Sequence, residues 1–470
     1  MQSDIPAERW LAPLEPRGGP RYLQIVERLE DAIAAGRLRA GDRLTPQRAV
    51  ATHLGVDLTT VTRAYGQART RGLLVADGPR GTFVAARRVE LGALVDLSLN
   101  IPPQPADPDL QELLKHGLAQ VLLRADIDLL MTYHLAGGSA ADRLAGARWL
   151  APALGDVPPG RVVASPGSQA ALCALILACT QAGETLLCEP LVYPGFRAAA
   201  AQLGRPVRDV EIDDEGMLPA ALERAVKQSG ARVVYLNPTI QNPTTVTMPE
   251  RRRRAIAKMA ARLDLQVIED DPYWLLADAA PPPLARLAPE RVHYVSTLSK
   301  CLSPGLRTAF VVSPDARRQS AFLAALRAFS LMRAPLTAVL ATQWLQDGTA
   351  QRVLAGVRAE ARARQDVAAQ ALAGDLAGPH ASREGIHVWR PLPSYWTAPA
   401  FAQAARAQGL AITPADAFAS GRTATNAIRI SLGAGRDRKR LSHALARLSD
   451  LLARRPSAEE KRSPRSSPLE

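Results

Sequence analysis

The chain has 470 residues, 47% of them hydrophobic, and a formal net charge of +13. That length supports two or three domains with a sizeable core. The charge suits a polyanionic partner, although an arginine-rich composition also produces it. The cysteines, Cys173, Cys179, Cys188 and Cys301, have neither zinc spacing nor a disulfide-dense pattern. Residues 1–20 lack an apolar signal core, and the longest apolar run, around 170–179, is too short to span a bilayer. The expectation is a cytoplasmic protein with no membrane partner.

In chain order, residues 1–20 read as an extended arm. Tyr22, Ile25, Val26, Leu29 and Ile33 recur at helical spacing, and Gly36 ends that helix. A second helix runs from about Pro46 to Leu54, with Gly55 at the position of a left-handed cap. Asp57 or Thr59 opens a third, with Val61, Ala64, Tyr65 and Ala68 inward and Thr59, Thr60, Thr62, Arg63 and Gln67 outward. Two short apolar runs around the turn Asp77-Gly78-Pro79-Arg80-Gly81 predict a hairpin. Three helices and a hairpin make a winged helix-turn-helix, whose third helix enters a major groove. Residues 21–90 hold twelve Arg against seven Asp or Glu, a net +5. Arg48, Thr59, Thr60, Thr62, Arg63, and Arg80 and Gly81 in the wing are the expected contacts to double-stranded operator DNA.

Tyr22-Leu23-Gln24-Ile25, Gly36-Arg37-Leu38, Gly41-Asp42-Arg43-Leu44, Leu54-Gly55-Val56 and Gly81-Thr82-Phe83-Val84 resemble the GntR-type DNA-binding domain of bacterial regulators. The basic residue that often follows the Gly-Val pair is here replaced by Asp57-Leu58, which bears on the operator sequence. The expected boundaries are an arm at 1–20, the DNA-binding domain at 21–86 and a linker at 87–96. A second domain follows at 97–453, with a disordered, charged, Pro/Ser-rich tail at 454–470.

From residue 161 strands and helices alternate, which predicts an α/β domain with a mostly parallel doubly wound sheet. Ligands bind such sheets at the C-terminal ends of strands. The apolar run Val292-His293-Tyr294-Val295 leads into Ser296-Thr297-Leu298-Ser299-Lys300, and Lys300 alone among six lysines follows a strand. A buried amine loses proton affinity and becomes a nucleophile capable of forming a Schiff base. Thr297, Ser299 and Arg307 around it suit a phosphate dianion. An aldehyde that also carries phosphate is pyridoxal 5'-phosphate (PLP). Gly167-Ser168-Gln169 opens a helix and offers an anion site. Tyr193 can stack on a ring, Asn242 can bond a phenolic oxygen, and Asp270, chosen over Asp271, can pair with a pyridine nitrogen. Arg429 lies inside an apolar strand, where a bidentate grip on a carboxylate would explain a buried charge.

These spacings resemble fold type I PLP-dependent transferases of the aspartate aminotransferase superfamily. The resemblance implies that Ser168, Gln169, Thr297, Ser299 and Arg307 hold the phosphate, Tyr193 stacks, and Asn242 and Tyr273 bond the ring hydroxyl. Asp270 would pair with the ring nitrogen, Lys300 would form the internal aldimine, and Arg429 would bind the substrate carboxylate. Tyr133 would reach the neighbouring subunit's phosphate. A small α/β subdomain closes the chain. Two positions depart from the pattern: Thr245 follows Asn242-Pro243-Thr244 where glycine is frequent, and Ala309 stands two residues after Arg307 where glycine is common.

A GntR-type reader joined to such a domain resembles the MocR/GabR-type regulators. That implies a PLP-dependent transcriptional regulator, working at the nucleoid, that senses an amine, an amino acid or PLP as a head-to-tail homodimer. The alternatives are an active aminotransferase acting on an amino acid and a DNA-binding protein with an empty, structural second domain.

Overall fold

The computed structural model describes residues 5–11, 13–14, 19–39, 41–76, 81–85, 94–134, 137–372, 383–420, 425–434, 437–457 and 460. The chain divides into two compact units, Met1–Ala93 and Leu94–Glu470.

In the first unit, α1 (Arg21–Ala34), α2 (Gln47–Leu54) and α3 (Leu58–Thr70) precede the strands β1 (Leu74–Ala76) and β2 (Thr82–Val84). The helices pack through residues at helical spacing: Ile25, Val26, Leu29 and Ala32 from α1, Val50 from α2, and Val61, Ala64, Tyr65 and Ala68 from α3. Gly55 ends α2 at φ 59°, a left-handed conformation that glycine adopts without a Cβ penalty. The hairpin pairs Leu74 with Val84 and Ala76 with Thr82 in antiparallel register. Its tip, including Arg80, lies outside the described residues.

The amino-terminal arm corrects one expectation. Ala7–Arg9 form a short 3-10 helix, and Ala7, Trp10 and Leu11 are buried in the core of this unit. Ile5 N–H donates to the Arg43 carbonyl at 2.9 Å, adding a short bridge beside Leu44. Apolar Trp10 and Leu11 in a Pro-rich stretch carry no periodicity, so no pattern in the sequence marks their burial.

The second unit is built on a seven-stranded sheet. Its strands are β3 (Val162–Ser165), β4 (Leu186–Cys188), β5 (Val207–Asp209), β6 (Val233–Leu236), β7 (Gln266–Asp270), β8 (Val292–Thr297) and β9 (Ala309–Val312), in spatial order β3-β9-β8-β7-β6-β4-β5. Parallel pairing runs from β5 to β8, while β9 is antiparallel to β8 and β3. Both faces are covered, so the strands read as continuous apolar runs. Val163, Ile268 and Val311 pack on the face of the helix Ser168–Cys179, and Val162, Val267 and Phe310 on the other. Strand-helix alternation anticipates neither β5 nor β9. Both are short, and β9 follows the site loop with no turn signal of its own.

A smaller antiparallel sheet of β10 (His387–Pro391), β11 (Thr413–Pro414) and β12 (Ala427–Ser431) forms the C-terminal subdomain. Val95–Asp96 pairs in parallel with Leu410–Ala411, so the start of this unit is tied to its end. The expected disorder of the tail does not hold at its beginning. Trp396 Nε1 donates to the Arg454 carbonyl at 2.9 Å, and Arg454 pairs with Glu460. Residues 461–470 lie outside the described residues. No helix among the described residues is long and apolar enough to cross a membrane.

Candidate functional site

A cavity of about 760 Å³ opens at the C-terminal ends of β6, β7 and β8. Ser168, Gln169, Tyr193, Asn242, Asp270, Tyr273, Thr297, Ser299, Lys300, Arg307 and Arg429 all line it. Tyr133 does not: it is 81% exposed, outside the cavity of its own chain.

Lys300 lies on the short helix Leu298–Cys301, directly after β8. Burial, reinforced by the Arg429 charge and opposed by Asp270, lowers its pKa to about 8. Its Nζ donates to the Asn100 carbonyl at 2.5 Å. Asp270 ends β7, and burial raises its carboxyl to about 6 against the lowering effects of Tyr235 and Lys300. Tyr235 Oη donates to Asp270 Oδ2 at 2.9 Å, while Oδ1 is buried with no partner among the described residues. Tyr235 pairs in register with Ile268, which puts it on the face of the sheet that Asp270 shares. Asp271 faces elsewhere: Thr239 Oγ1 donates to its Oδ2 at 3.1 Å, and burial with the nearby Glu269 charge pushes its carboxyl to about 8.

The phosphate-type groups gather at one end. The helix Ser168–Cys179 begins after Gly167 at φ 91°, where an added Cβ would come within 3.1 Å of the Arg307 guanidinium. A side chain at this position would therefore fill the cradle between helix N-terminus and guanidinium. Arg307 itself sits at φ 42°, and its guanidinium donates to the Pro166 carbonyl at 3.4 Å. Thr297 Oγ1 donates to Ser299 Oγ at 3.0 Å. Gln169 Nε2 donates to the Gly195 carbonyl at 2.9 Å, leaving Oε1 buried without a partner among the described residues.

Arg429, on β12, donates to Asn242 Oδ1 at 2.8 Å and to the Ser98 carbonyl. Burial lowers its pKa to about 10, and its guanidinium lies 5.0 Å from the Phe418 ring centroid. Tyr273 is buried and accepts from Asn100 Nδ2 at 2.8 Å, so its own proton is free to donate. Its neighbour His387 is fully buried, and desolvation lowers its pKa to about 3, so it is neutral.

Several residues escape sequence reasoning. Asn237 Nδ2 donates to the Asp270 carbonyl, and its Oδ1 accepts the Asn242 N–H, both at 2.8 Å. A polar residue directly after the apolar strand β6 is a signal that could have found it. Tyr235 looks like a core tyrosine until the register is known. Asn100, which touches both Tyr273 and Lys300, has no signal.

The buried cationic, hydrogen-bonding and anionic groups fit PLP. The unpartnered Asp270 Oδ1 suits a protonated ring nitrogen, and the open cradle at Gly167 suits a phosphate. Of the two departures, Ala309 is accommodated as a buried residue of β9. Thr245 adopts φ 64°, in the left-handed region that a β-branched residue occupies at a cost of about 1–3 kcal/mol.

On the winged helix, Arg48 and Thr59 are exposed and Thr60 is half-buried. Thr62 Oγ1 donates to Gln47 Oε1 at 2.9 Å, linking α3 to α2. The Arg63 guanidinium lies 4.1 Å from the Tyr22 ring centroid, so it also packs α3 against α1. Gly81 has φ 110°, and a Cβ there would come within 3.0 Å of Arg43 Nε.

Residues 93–448 match the family described as aminotransferase class I and II, and residues 21–84 match bacterial regulatory proteins, gntR family. The HTH-type transcriptional regulator TauR of Rhodobacter capsulatus is 31% identical over 88% of this chain and 92% of its own length. The vitamin B6 salvage pathway transcriptional repressor PtsJ of Salmonella typhimurium is 31% identical over 80% of this chain and 87% of its own. Among solved structures, LysN, an alpha-aminoadipate aminotransferase from Thermus thermophilus complexed with N-(5'-phosphopyridoxyl)-L-leucine, aligns with a TM-score of 0.69. It is 26% identical, over 83% of this chain and 98% of its own.

Proposed function

The chain is a MocR-type transcriptional regulator, a gntR-family DNA-binding domain joined to a class I and II aminotransferase domain, and we propose that it senses a small amine or amino acid through PLP in its cavity. The observation that carries this reading is the convergence of Lys300, Asp270, Arg307 and Arg429 on one cavity in a chain that also bears a winged helix. When bound, PLP supplies an aldehyde that captures amines and a ring that withdraws electrons.

The chain's own residues do the rest. With a pKa of about 8, Lys300 is partly neutral near pH 7.5 and can act as a nucleophile. Asp270, at about 6, is mostly ionised there and holds a proton on the ring nitrogen. Tyr193 covers the ring, while Asn242 and Tyr273 donate toward its hydroxyl. Arg307, Ser168, Gln169, Thr297 and Ser299 hold the phosphate. Arg429 receives the effector carboxylate. An effector then shifts the chain between states by its differential interaction with each.

The winged helix binds DNA, and Arg48, Thr59, Thr60, Thr62, Arg63, Arg80 and Gly81 are the proposed contacts, in the cytoplasm and at the nucleoid. A head-to-tail homodimer would give Tyr133 its role at the partner's phosphate. The exposed side chains of Leu122, Leu123, Met131, Phe329 and Leu331 support such an interface, since large exposed apolar surface marks protein contacts. Footprinting on the DNA upstream of its own gene, with PLP and candidate amines added, tests the reading. A protected operator whose occupancy changes with them is expected. Steady-state transamination at ordinary enzyme rates, with no sequence-selective DNA binding, would refute it in favour of an aminotransferase.

A further inference from the structure

The cavity around Lys300 is lined by one arginine to which PLP and a single carboxylate give no role. Its wall bears Lys300, Arg307, Arg406 and Arg429 against Asp96 and Asp270. On the PLP reading above, on which this inference rests, Lys300 and Asp270 engage the aldehyde and ring nitrogen, and Arg307 engages the phosphate. Arg429 and Arg406 then remain, with Asp96 as the one carboxylate left among the described lining residues. Asp96 Oδ1 already accepts from the Ser98 N–H at 2.8 Å, the Ser98 hydroxyl at 2.6 Å and the Leu99 N–H at 3.3 Å.

The two arginines differ in setting. Arg429 is buried, braced by Asn242 and Ser98, and keeps Nε without a partner among the described residues. It suits an α-carboxylate. Arg406 is exposed, on the helix Ala398–Ala407, and its guanidinium has no ion pair or hydrogen bond among the described residues. Gln403 lies three residues earlier, on the same face, and lines the same cavity. Ala402, Ile412 and Leu99 also line the cavity and add apolar surface to it. A guanidinium and an amide in a cavity that also has apolar lining match a carboxylate at the end of an aliphatic chain.

We propose that Arg406, with Gln403, determines effector specificity by receiving a distal anionic group. The effector class is then an amino acid whose short aliphatic side chain ends in a carboxylate or a similar anion. Such an effector would meet Arg429 at one end and Arg406 at the other.

The test uses the full chain loaded with PLP and follows the cofactor's visible absorbance. L-2-aminoadipate and L-norleucine have carbon chains of equal length and differ in the terminal carboxylate. Wild-type protein should respond to L-2-aminoadipate at a concentration about tenfold or more below that for L-norleucine. Arg406→Gln should raise the L-2-aminoadipate midpoint about tenfold, toward the L-norleucine value, and Arg406→Lys should recover part of the preference. PLP uptake by each variant checks its fold. Equal midpoints in the wild type, or a preference retained by Arg406→Gln, would overturn the assignment while leaving the sensing function standing. No response to either compound or to simple amines would overturn the sensing function and the selector together.

Discussion

Replacing Tyr235 by Phe isolates the group that tunes Asp270. The substitution removes the hydroxyl that donates to Asp270 Oδ2 and leaves the ring, which stacks on Phe196 at 3.9 Å with the planes 10° apart. Asp270 Oδ1 has no partner among the described residues, so no other side chain takes over. A hydrogen bond to a charged group contributes about 1.5–3 kcal/mol, or about 1–2 pKa units. Asp270, at about 6 in the wild type, should therefore titrate at about 7–8 in the variant. Its folded pKa lies above its ordinary 3.8. The stability this contributes to the apo-protein is present below about 3.8 and lost as pH rises through about 6 in the wild type. In the variant that loss should extend to about pH 7–8.

Holding a protonated ring nitrogen needs the ionised carboxylate, so PLP affinity should fall as pH falls, and sooner in the variant. The ratio of variant to wild-type Kd should be near one at about pH 9 and reach about 10–100-fold by about pH 5.5. Titrating apo-protein with PLP across this range measures the ratio, and the contribution of Lys300 cancels because both proteins share it. A ratio independent of pH would refute the assignment of Asp270 to the ring nitrogen.

Lys300→Ala should abolish the absorbance band that belongs to the bond between Lys300 and PLP, together with the effector response, while leaving basal operator binding within about twofold by gel shift. Loss of both together would mean that PLP supports the fold rather than sensing. Arg48→Ala should weaken binding to all DNA sequences alike and reduce the salt slope by about one, as expected for a phosphate contact; an unchanged slope would contradict it. Trp10→Ala should destabilise the DNA-binding unit by about 3–5 kcal/mol, read by urea unfolding of the full chain. Trp10 is 1% exposed and its Nε1 is buried without a partner among the described residues, which places the expected value toward the lower end. Unchanged stability would show that the arm is not part of that core.

Much of the molecule was legible because the patterns that specify it are local. The α1 stripe, the Gly55 stop, the hairpin turn and the apolar strand before Lys300 are each written within a few residues, at spacings fixed by backbone geometry. Strand-end position nominated Asp270 and Asn242, and the three-residue spacing to Tyr273 chose Asp270 over Asp271. The sequence therefore determined the two-unit organisation, the fold of each and most of the cavity wall. Only the tertiary structure decided who supports whom. Tyr235 meets Asp270 through the register of β6 on β7. Asn100 meets Lys300 across 200 residues of chain. Trp10 is buried by helices that follow it, and Arg406 becomes part of the site because its helix packs beside β11 and β12. Such contacts carry no periodic signature, since they depend on how finished elements pack against one another rather than on the spacing within any of them.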